Sequence, residues 1–363
     1  MKTILPPKLS GKPVCFLFFL FLFAGIIPVN SQNYTKPNIP GDFGTFVNSY
    51  TGNLYYPRTD LVIPGQSLNL EIIFSYNSGR SGADYGFGHG WTFNYNQFYE
   101  FDGNDLLFDK NDGGKDRYIW NGISYNPPVG VYNELTEYSP GQFVLKTKHG
   151  IKFYFENSTH KKLTKIEDRN SNELLLTYTN GQVTLITDPY GRQLLFDYDQ
   201  NGHLIKITDP NHIPQREITY EYDPVGNMIK VTNPAGNFIT YGYGLWRNLT
   251  HITDARGNMY TVSYNSNKAV DELSCLAENT KSTIHYNDLN KETSVEDFVT
   301  AGNTITTYIY DNNARISQLQ TTFGTTSFSY DANNSIISVT DPNGNATTYT
   351  YDSKGIRYRL QIR

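Results

Sequence analysis

The pattern of apolar and polar positions changes character twice along the chain. From Val14 to Ile27 the residues form an unbroken apolar run with five phenylalanines and no charge. From 33 to 150 the apolar residues come in short alternating stretches. In Leu68-Asn-Leu70-Glu-Ile72-Ile-Phe74 every second side chain is apolar, as a half-buried strand requires. Beyond 150 the alternation becomes periodic. Tyrosines end the apolar stretches at 178, 198, 222, 243, 264, 286, 310, 330 and 351, spaced 20–24 residues apart, and Phe155 extends the ladder backwards.

Each ladder tyrosine has an apolar residue two places before it, as in Phe196-x-Tyr198, Tyr220-x-Tyr222, Tyr241-x-Tyr243 and Val262-x-Tyr264. In a strand, residues i and i+2 share a face. Every repeat therefore offers one apolar, mostly aromatic face with threonine and charged residues between. Turn residues separate the strands. Asp199-Gln-Asn-Gly202, Asp223-Pro-Val-Gly226 and Asp352-Ser-Lys-Gly355 follow a tyrosine. Asp188-Pro-Tyr-Gly191, Asn233-Pro-Ala-Gly236, Asp254-Ala-Arg-Gly257 and Asp341-Pro-Asn-Gly344 follow the next strand. The acid or amide bonds its own backbone, proline presets φ, and glycine leads back into a strand. The unit is strand, turn, strand, turn, and hairpins laid side by side predict one continuous antiparallel sheet. Two stretches depart from the pattern. Ala269–Glu278 reads as a degenerate repeat, and Asn287–Thr300, rich in acids, reads as a longer surface loop.

Composition supports strands. Tyrosine (29) and phenylalanine (21) are plentiful and charged residues make up 18%, below the usual quarter. The net charge of −5 and the lack of a basic stripe argue against a nucleic-acid partner. Lys2, Lys8 and Lys12 precede the first apolar run and Val29-Asn30-Ser31 follows it. That is the layout of a secretory signal peptide over 1–31, with cleavage before Gln32. The run of 14 residues is shorter than the roughly 20 a bilayer span needs. The mature chain has no other candidate span. It retains one cysteine, Cys275, because Cys15 leaves with the leader. No disulfide staples it, and burial and strand pairing must supply stability.

Units such as Tyr198-Asp199-Gln-Asn-Gly202-His-Leu204-Ile-Lys-Ile207-Thr208-Asp209-Pro210 resemble the YD repeats of Rhs-type proteins and teneurins, and Asp follows the tyrosine at 199, 223, 311, 331 and 352. The resemblance covers 151–355. Thr51-Gly52-Asn53-Leu54, Ile63-Pro64-Gly65, Tyr76-Asn77-Ser78 and Gly88-His-Gly90-Trp91 are similar to the domain that precedes such repeats in bacterial Rhs and wall-associated proteins. The expected organisation is a signal peptide (1–31), an N-terminal β domain (32–150) that caps the start of the repeat sheet, and a YD-repeat array (151–363) of nine to ten repeats, the last incomplete. The fold class is all-β, with the array forming a curved partial β-shell. The resemblance implies a hollow shell that, in longer bacterial proteins, encloses a C-terminal toxin. No closing segment or toxin follows Asp341-Pro-Asn-Gly344, so the chain reads as a truncated product. Nine or ten repeats are then expected to leave an open sheet with an exposed edge near Tyr351.

The search for chemistry finds little. The histidines at 89, 149, 160, 203, 212, 251 and 285 have no metal-ligand spacing among themselves or with cysteine. His89, beside Trp91 in a glycine-rich loop, is the most tempting ligand or base, but it lacks the partner that catalysis requires. The recurring aspartates could be paired carboxylates for glycoside hydrolysis, yet they recur with the turns. No Gly-x-Ser-x-Gly elbow, phosphate-binding loop or HExxH sequence is present. Asn33, Asn157, Asn248, Asn333 and Asn345 begin Asn-x-Ser/Thr sequons. The expectation is therefore no catalytic, cofactor-binding or metal-binding residue. Two functions stay open. One is an exported, non-catalytic scaffold that holds a C-terminal toxin or other effector. The other is a surface adhesin or carbohydrate-binding module whose tyrosines stack on glycans.

Overall fold

The computed structural model describes residues 38–110, 114–156, 160–298 and 302–362. The expected leader and its cleavage site lie outside the described residues. Three antiparallel sheets account for almost all of the secondary structure, and in each the strands neighbour one another in sequence order. The first sheet has five strands, Asn38–Pro40, Phe46–Asn48, Leu54–Ile63, Leu70–Asn77 and Trp91–Phe93. The second has four, from Phe98–Asp102 to Tyr125–Asn126. The third is a wall of 22 strands that starts at Glu134–Ser139 and ends at Arg357–Ile362.

The repeat chemistry explains the wall's regularity. The register slips by one residue immediately before every ladder tyrosine but Tyr286, as at Asp197/Tyr198, Glu221/Tyr222, Gly242/Tyr243 and Ser329/Tyr330. A bulge there re-aims the tyrosine without disturbing the alternation elsewhere. Leu194, Phe196, Ile207, Ile218, Tyr220, Val231, Tyr241 and Ile252 all point to one buried face. That face and the first sheet's Leu54, Leu70, Ile72, Phe74, Tyr76, Trp91 and Phe93 form one hydrophobic core.

The first sheet does not merely cap the start of the array, as expected from sequence. It lies along the wall's apolar face, with contacts from Asp168 to Tyr310. The physical reason is that the wall offers one apolar face across many repeats, and only a second apolar sheet can bury it. The four-stranded sheet does cover the start of the wall. Its Tyr99 and Phe108 meet Phe143 and Phe155 with ring centroids 5.0 and 5.1 Å apart.

Two further expectations are corrected. Within Asn287–Thr300, Glu292–Phe298 is a regular strand paired with Thr280–Asn287 and Thr304–Tyr310. Thr293 and Val295 are buried while the acids take the alternate positions, so the charge run hides an ordinary strand. The exposed edge is not at Tyr351, because Arg357–Ile362 adds another strand with the usual slip at Thr350/Tyr351. The two ends of the wall also meet. No strand pairing joins them, but the Lys148 ammonium donates to the Gly355 carbonyl at 3.2 Å and the Tyr132 and Ser335 hydroxyls lie 3.1 Å apart. Ala269–Glu278 contains the strand Val270–Cys275, in phase with the repeats.

Candidate functional site

The residues that sequence put forward as possible chemistry are the ladder tyrosines, the recurring aspartates and His89. In the turns, each Asp or Asn carboxyl or amide oxygen accepts two backbone N–H groups, from residues i+2 and i+4. Asp199 receives Asn201 and His203 at 2.9 and 2.8 Å, and Asp223 receives Val225 and Asn227 at 3.0 and 2.8 Å. The pattern recurs at Asp188, Asp254, Asp311 and Asp341. Glycine at the fourth position adopts a left-handed conformation, as at Gly202 and Gly226. Burial works against the charge of Asp223, but the Asn227 and Val225 donors hold its carboxyl below the ordinary range. A glycosidase acid needs the opposite shift. These carboxylates are turn acceptors.

The tyrosines are fixed just as specifically. The phenols of Tyr178, Tyr198, Tyr222, Tyr243, Tyr264, Tyr286, Tyr330 and Tyr351 donate to the carbonyls of Leu163, Val183, Leu204, Met228, Leu249, Val270, Ile316 and Ile336, at 2.6–3.0 Å. Each acceptor lies at the start of a strand in the preceding hairpin, where the ladder no longer uses its carbonyl. The tyrosine therefore latches one hairpin to the next. Burial pushes the phenols of Tyr222, Tyr243 and Tyr264 well above the ordinary tyrosine range, so they remain donors.

The N-terminal region uses the same strand starts. The N–H of Leu163 donates to the Gln97 carbonyl, Leu204 to Gly86, and Val270 to Gly52, at 2.8–2.9 Å. The N–H of Leu249 donates to the Tyr76 hydroxyl at 3.0 Å. Leu163, Leu204, Leu249 and Val270 thus have the N–H held by the N-terminal region and the C=O held by a ladder tyrosine. The glycine-rich loop makes this approach possible. A Cβ on Gly86 would lie 2.6 Å from the Gly202 carbonyl oxygen, and one on Gly88 would lie 2.8 Å from the Met228 nitrogen.

At the centre of the interface is a buried ion pair that sequence reasoning missed. The Arg58 guanidinium donates to Asp60 through Nε and Nη2 and to the Tyr241 hydroxyl through Nη1, and the Tyr220 phenol donates to Asp60 at 2.8 Å. Arg58 lies 5.0 Å from the Trp91 ring centre, and the Trp91 indole donates to Tyr243 at 2.9 Å. Burial works against the charge on Arg58, but Asp60 and the phenols of Tyr241 and Tyr220 more than offset it. Arg58 Nη1 and Asp60 Oδ2 reach the wall's Tyr241 and Tyr220, which makes the pair a docking contact.

His89 packs against the Arg247 guanidinium. Partial burial first, and then the Arg247 charge, lower its pKa. His203 was not singled out by sequence. Its Nε2 lies 3.0 Å from Asp84 Oδ2, and its ring stacks on Tyr222 with centroids 4.6 Å apart. It lines a cleft of about 820 Å³ with Asp84, Asp199, Glu221, Tyr222 and Asp223. Among the described residues, no serine, threonine or cysteine lines that cleft, and Asp84 already accepts the N–H groups of Gly86 and Gly88. Among the described residues, no group of three or more His, Cys, Asp or Glu is placed to hold a metal ion. No helix there is long and apolar enough to cross a membrane. Asn248, one of the sequon asparagines, is buried.

Comparison with known proteins places these features. Residues 178–214, 198–237, 222–259 and 330–357 match the family described as RHS Repeat. Residues 44–118 match a family described as a domain of unknown function, DUF6531. The chain is 36% identical over 136 residues to "tRNA nuclease WapA" of Bacillus subtilis (strain 168), and 35% identical over 136 residues to "tRNA3(Ser)-specific nuclease WapA" of Bacillus spizizenii. The aligned stretch is 37% of this chain and 6% of each relative. Among solved structures, "TcdB2-TccC3 without hypervariable C-terminal region" aligns over 92% of this chain and 22% of that chain, with 9% identity and a TM-score of 0.45. The Photorhabdus luminescens Tc holotoxin pore aligns over 88% of this chain and 18% of that chain, with 12% identity and a TM-score of 0.42.

Proposed function

We propose that this chain, an Rhs/YD-repeat protein, is a non-catalytic wall: an exported scaffold that holds a polypeptide effector belonging to a longer protein. The observation that carries this reading is what the repeated polar side chains do. The aspartates cap turns, the tyrosines latch hairpins, and Arg58 with Asp60 docks the first sheet on the wall. All three sets serve the architecture, and none is left poised over a substrate.

The names of the WapA relatives describe nucleases. The shared stretch is 6% of their length, and the nuclease activity is not carried to this chain. What we carry over is a supporting role beside an effector. The adhesin reading loses its footing because the tyrosine faces it needs are packed against the core. An effector would find apolar surface on the last repeats, where Leu319 and Phe328 are only partly buried.

The experiment is an activity and binding screen of the purified chain. It should leave tRNA intact and retain no glycan at millimolar concentration. Cleavage of tRNA that disappears on substitution of a single carboxylate would overturn the scaffold reading, and so would retention of a glycan. Export is tested separately: N-terminal sequencing of protein recovered from the culture medium should begin at Gln32, and an intact leader on cell-bound protein contradicts it.

A further inference from the structure

At Asp168, Asp223, Asp254 and Asp341 the turn carboxylate takes three donors in one fixed arrangement. The backbone N–H groups of residues i+2 and i+4 both bond Oδ1, at 2.7–3.0 Å. The side-chain amide of an asparagine at i+4 bonds Oδ2, at 2.8–2.9 Å. The turn 244–248 has the same backbone. The Gly244 N–H donates to the Asn248 carbonyl at 2.8 Å and the Arg247 N–H to the Gly244 carbonyl at 3.0 Å, as Asp223 and Gly226 do in the turn 223–227. It also keeps the asparagine, Asn248, but a glycine stands where the others have aspartate.

The Trp246 N–H, the Asn248 N–H and the Asn248 side-chain amide are therefore set for a carboxylate that the chain does not supply. Among the described residues nothing accepts from any of the three. Asn248 is only 2% exposed, and a buried amide left unpaired is costly. The surroundings favour an anion. The Arg247 guanidinium leans on the His89 ring, 3.0 Å from Nδ1, and among the described residues it forms no ion pair. The Lys268 ammonium lies 5.7 Å from the Trp246 ring centre and has no acidic partner there either. Space is available as well. Outside its two chain neighbours, a Cβ on Gly244 would have within 4 Å only the Thr250 methyl, at 3.2 Å, and the Asn248 carbonyl oxygen, at 3.9 Å. Gly244 itself is exposed, so the place that an aspartate takes in the other turns opens on solvent.

We propose that the turn 244–248 binds a carboxylate from outside the chain, which takes the place of the turn aspartate, accepts the three donors and lies in the field of Arg247 and Lys268. Backbone N–H groups converging from a turn bind anions, and an ionised acceptor strengthens each bond. The donors also select the kind of anion. In the four complete turns they divide between two oxygens of one planar group, so a carboxylate satisfies all three together, and a halide, with a single centre, does not. The ligand is a small organic acid or the free carboxylate of a polypeptide.

The test is a titration of the purified full chain with sodium acetate to about 100 mM, which covers a millimolar site, against sodium chloride at equal ionic strength. The readout is the amide proton and nitrogen resonances of Trp246, Asn248 and the Asn248 side chain. All three should move together and saturate with acetate, while those of Val225 and Asn227, whose carboxylate is built in, should stay. Gly244→Asp supplies the carboxylate internally, so the three resonances should start shifted and no longer respond. Arg247→Gln should keep the response and weaken acetate about tenfold, the loss of one bond to a charged group. N-acetylglycine separates the two sources: tighter binding than acetate assigns the site to a polypeptide chain end, and weaker binding assigns it to small free acids. No saturating shift overturns the proposal, as does an equal shift with chloride. So does an acetate response that persists in a folded Gly244→Asp variant, and, should that variant not fold, an acetate affinity unchanged by Arg247→Gln.

Discussion

The repeats that lie under the N-terminal sheet and the repeats near the end of the wall are built from the same parts. Tyr243 and Tyr351 make the same latch, at 2.6 and 2.7 Å. Asp223 and Asp352 cap the same turn. The difference is on the apolar face. Ile252 is buried under the first sheet, whereas Leu319, at the equivalent position opposite an aromatic residue, is only partly covered. The Leu204, Leu249 and Val270 amides are held by the N-terminal region as well. The comparison separates two layers of stability. Turn caps and latches set the geometry of the hairpins and recur in both regions, except at Tyr310, which makes no bond to a strand carbonyl of the preceding hairpin, and at the turn 244–248, which lacks the aspartate. Burial of the face depends on what lies over it, and by area it is the larger contribution.

The largest effect should come from breaking the docking contact. Arg58→Ala leaves Asp60 buried without its cation and should cost about 3–5 kcal/mol, read by urea unfolding. The double variant Arg58→Met, Asp60→Leu should lose less than Arg58→Ala alone, because it removes both charges together. Equal losses would mean that the pair is not the anchor.

Truncating the face tests the two regions directly. Ile252→Ala should cost about 2–5 kcal/mol, the range for a fully buried aliphatic side chain. Leu319→Ala should cost less than about 2 kcal/mol, in proportion to its smaller burial. If the two are equal, something covers the last repeats that the chain itself does not provide.

The latches should differ less. Tyr243→Phe orphans the Met228 carbonyl and the Trp91 indole inside the core and should cost about 1–3 kcal/mol. Tyr351→Phe should cost about 0.5–1.5 kcal/mol. The ratio between them measures how far the cover deepens an otherwise identical bond.

How much of this was legible in the sequence follows the same division. The ladder at Tyr198, Tyr222 and Tyr243 and the turn residues at Asp199 and Gly202 are local signals, and they specified hairpins in register. The latch was not legible, because a tyrosine's acceptor is a backbone carbonyl some 14–18 residues earlier and carries no side-chain signature. Nothing local in the sequence marks Arg58 and Asp60 for burial. Their burial depends on Tyr220 and Tyr241, more than 150 residues away. The strand Glu292–Phe298 was hidden because its acids suggested a loop, while Thr293 and Val295 alone carried the inward pattern.

The smallest expected effect repairs a gap in the pattern. At Asn172, Asn227, Asn258 and Asn345 the side-chain amide donates to the turn aspartate. In the turn 244–248 the aspartate is replaced by Gly244, and the buried Asn248 amide has no hydrogen-bond partner. Gly244→Asp should restore the cap and raise stability by about 1 kcal/mol, seen as a higher urea midpoint. A Cβ there would lie 3.2 Å from the Thr250 methyl and 3.9 Å from the Asn248 carbonyl oxygen. A lower midpoint would mean that the methyl cannot give way.

The most direct test of the two-layer account is amide hydrogen exchange along the wall, read by mass spectrometry strand by strand. The latches and caps being equal, the cover decides the outcome. The strands from Leu204–Asp209 to Met259–Tyr264 should exchange only through global unfolding, while Ile316–Thr321, Gly324–Tyr330 and Ile336–Thr340 should exchange earlier as one cooperative unit. Uniform protection from Leu204 to Thr340 would contradict it, because the repeat alone would then hold the wall and the N-terminal sheet would add nothing to it.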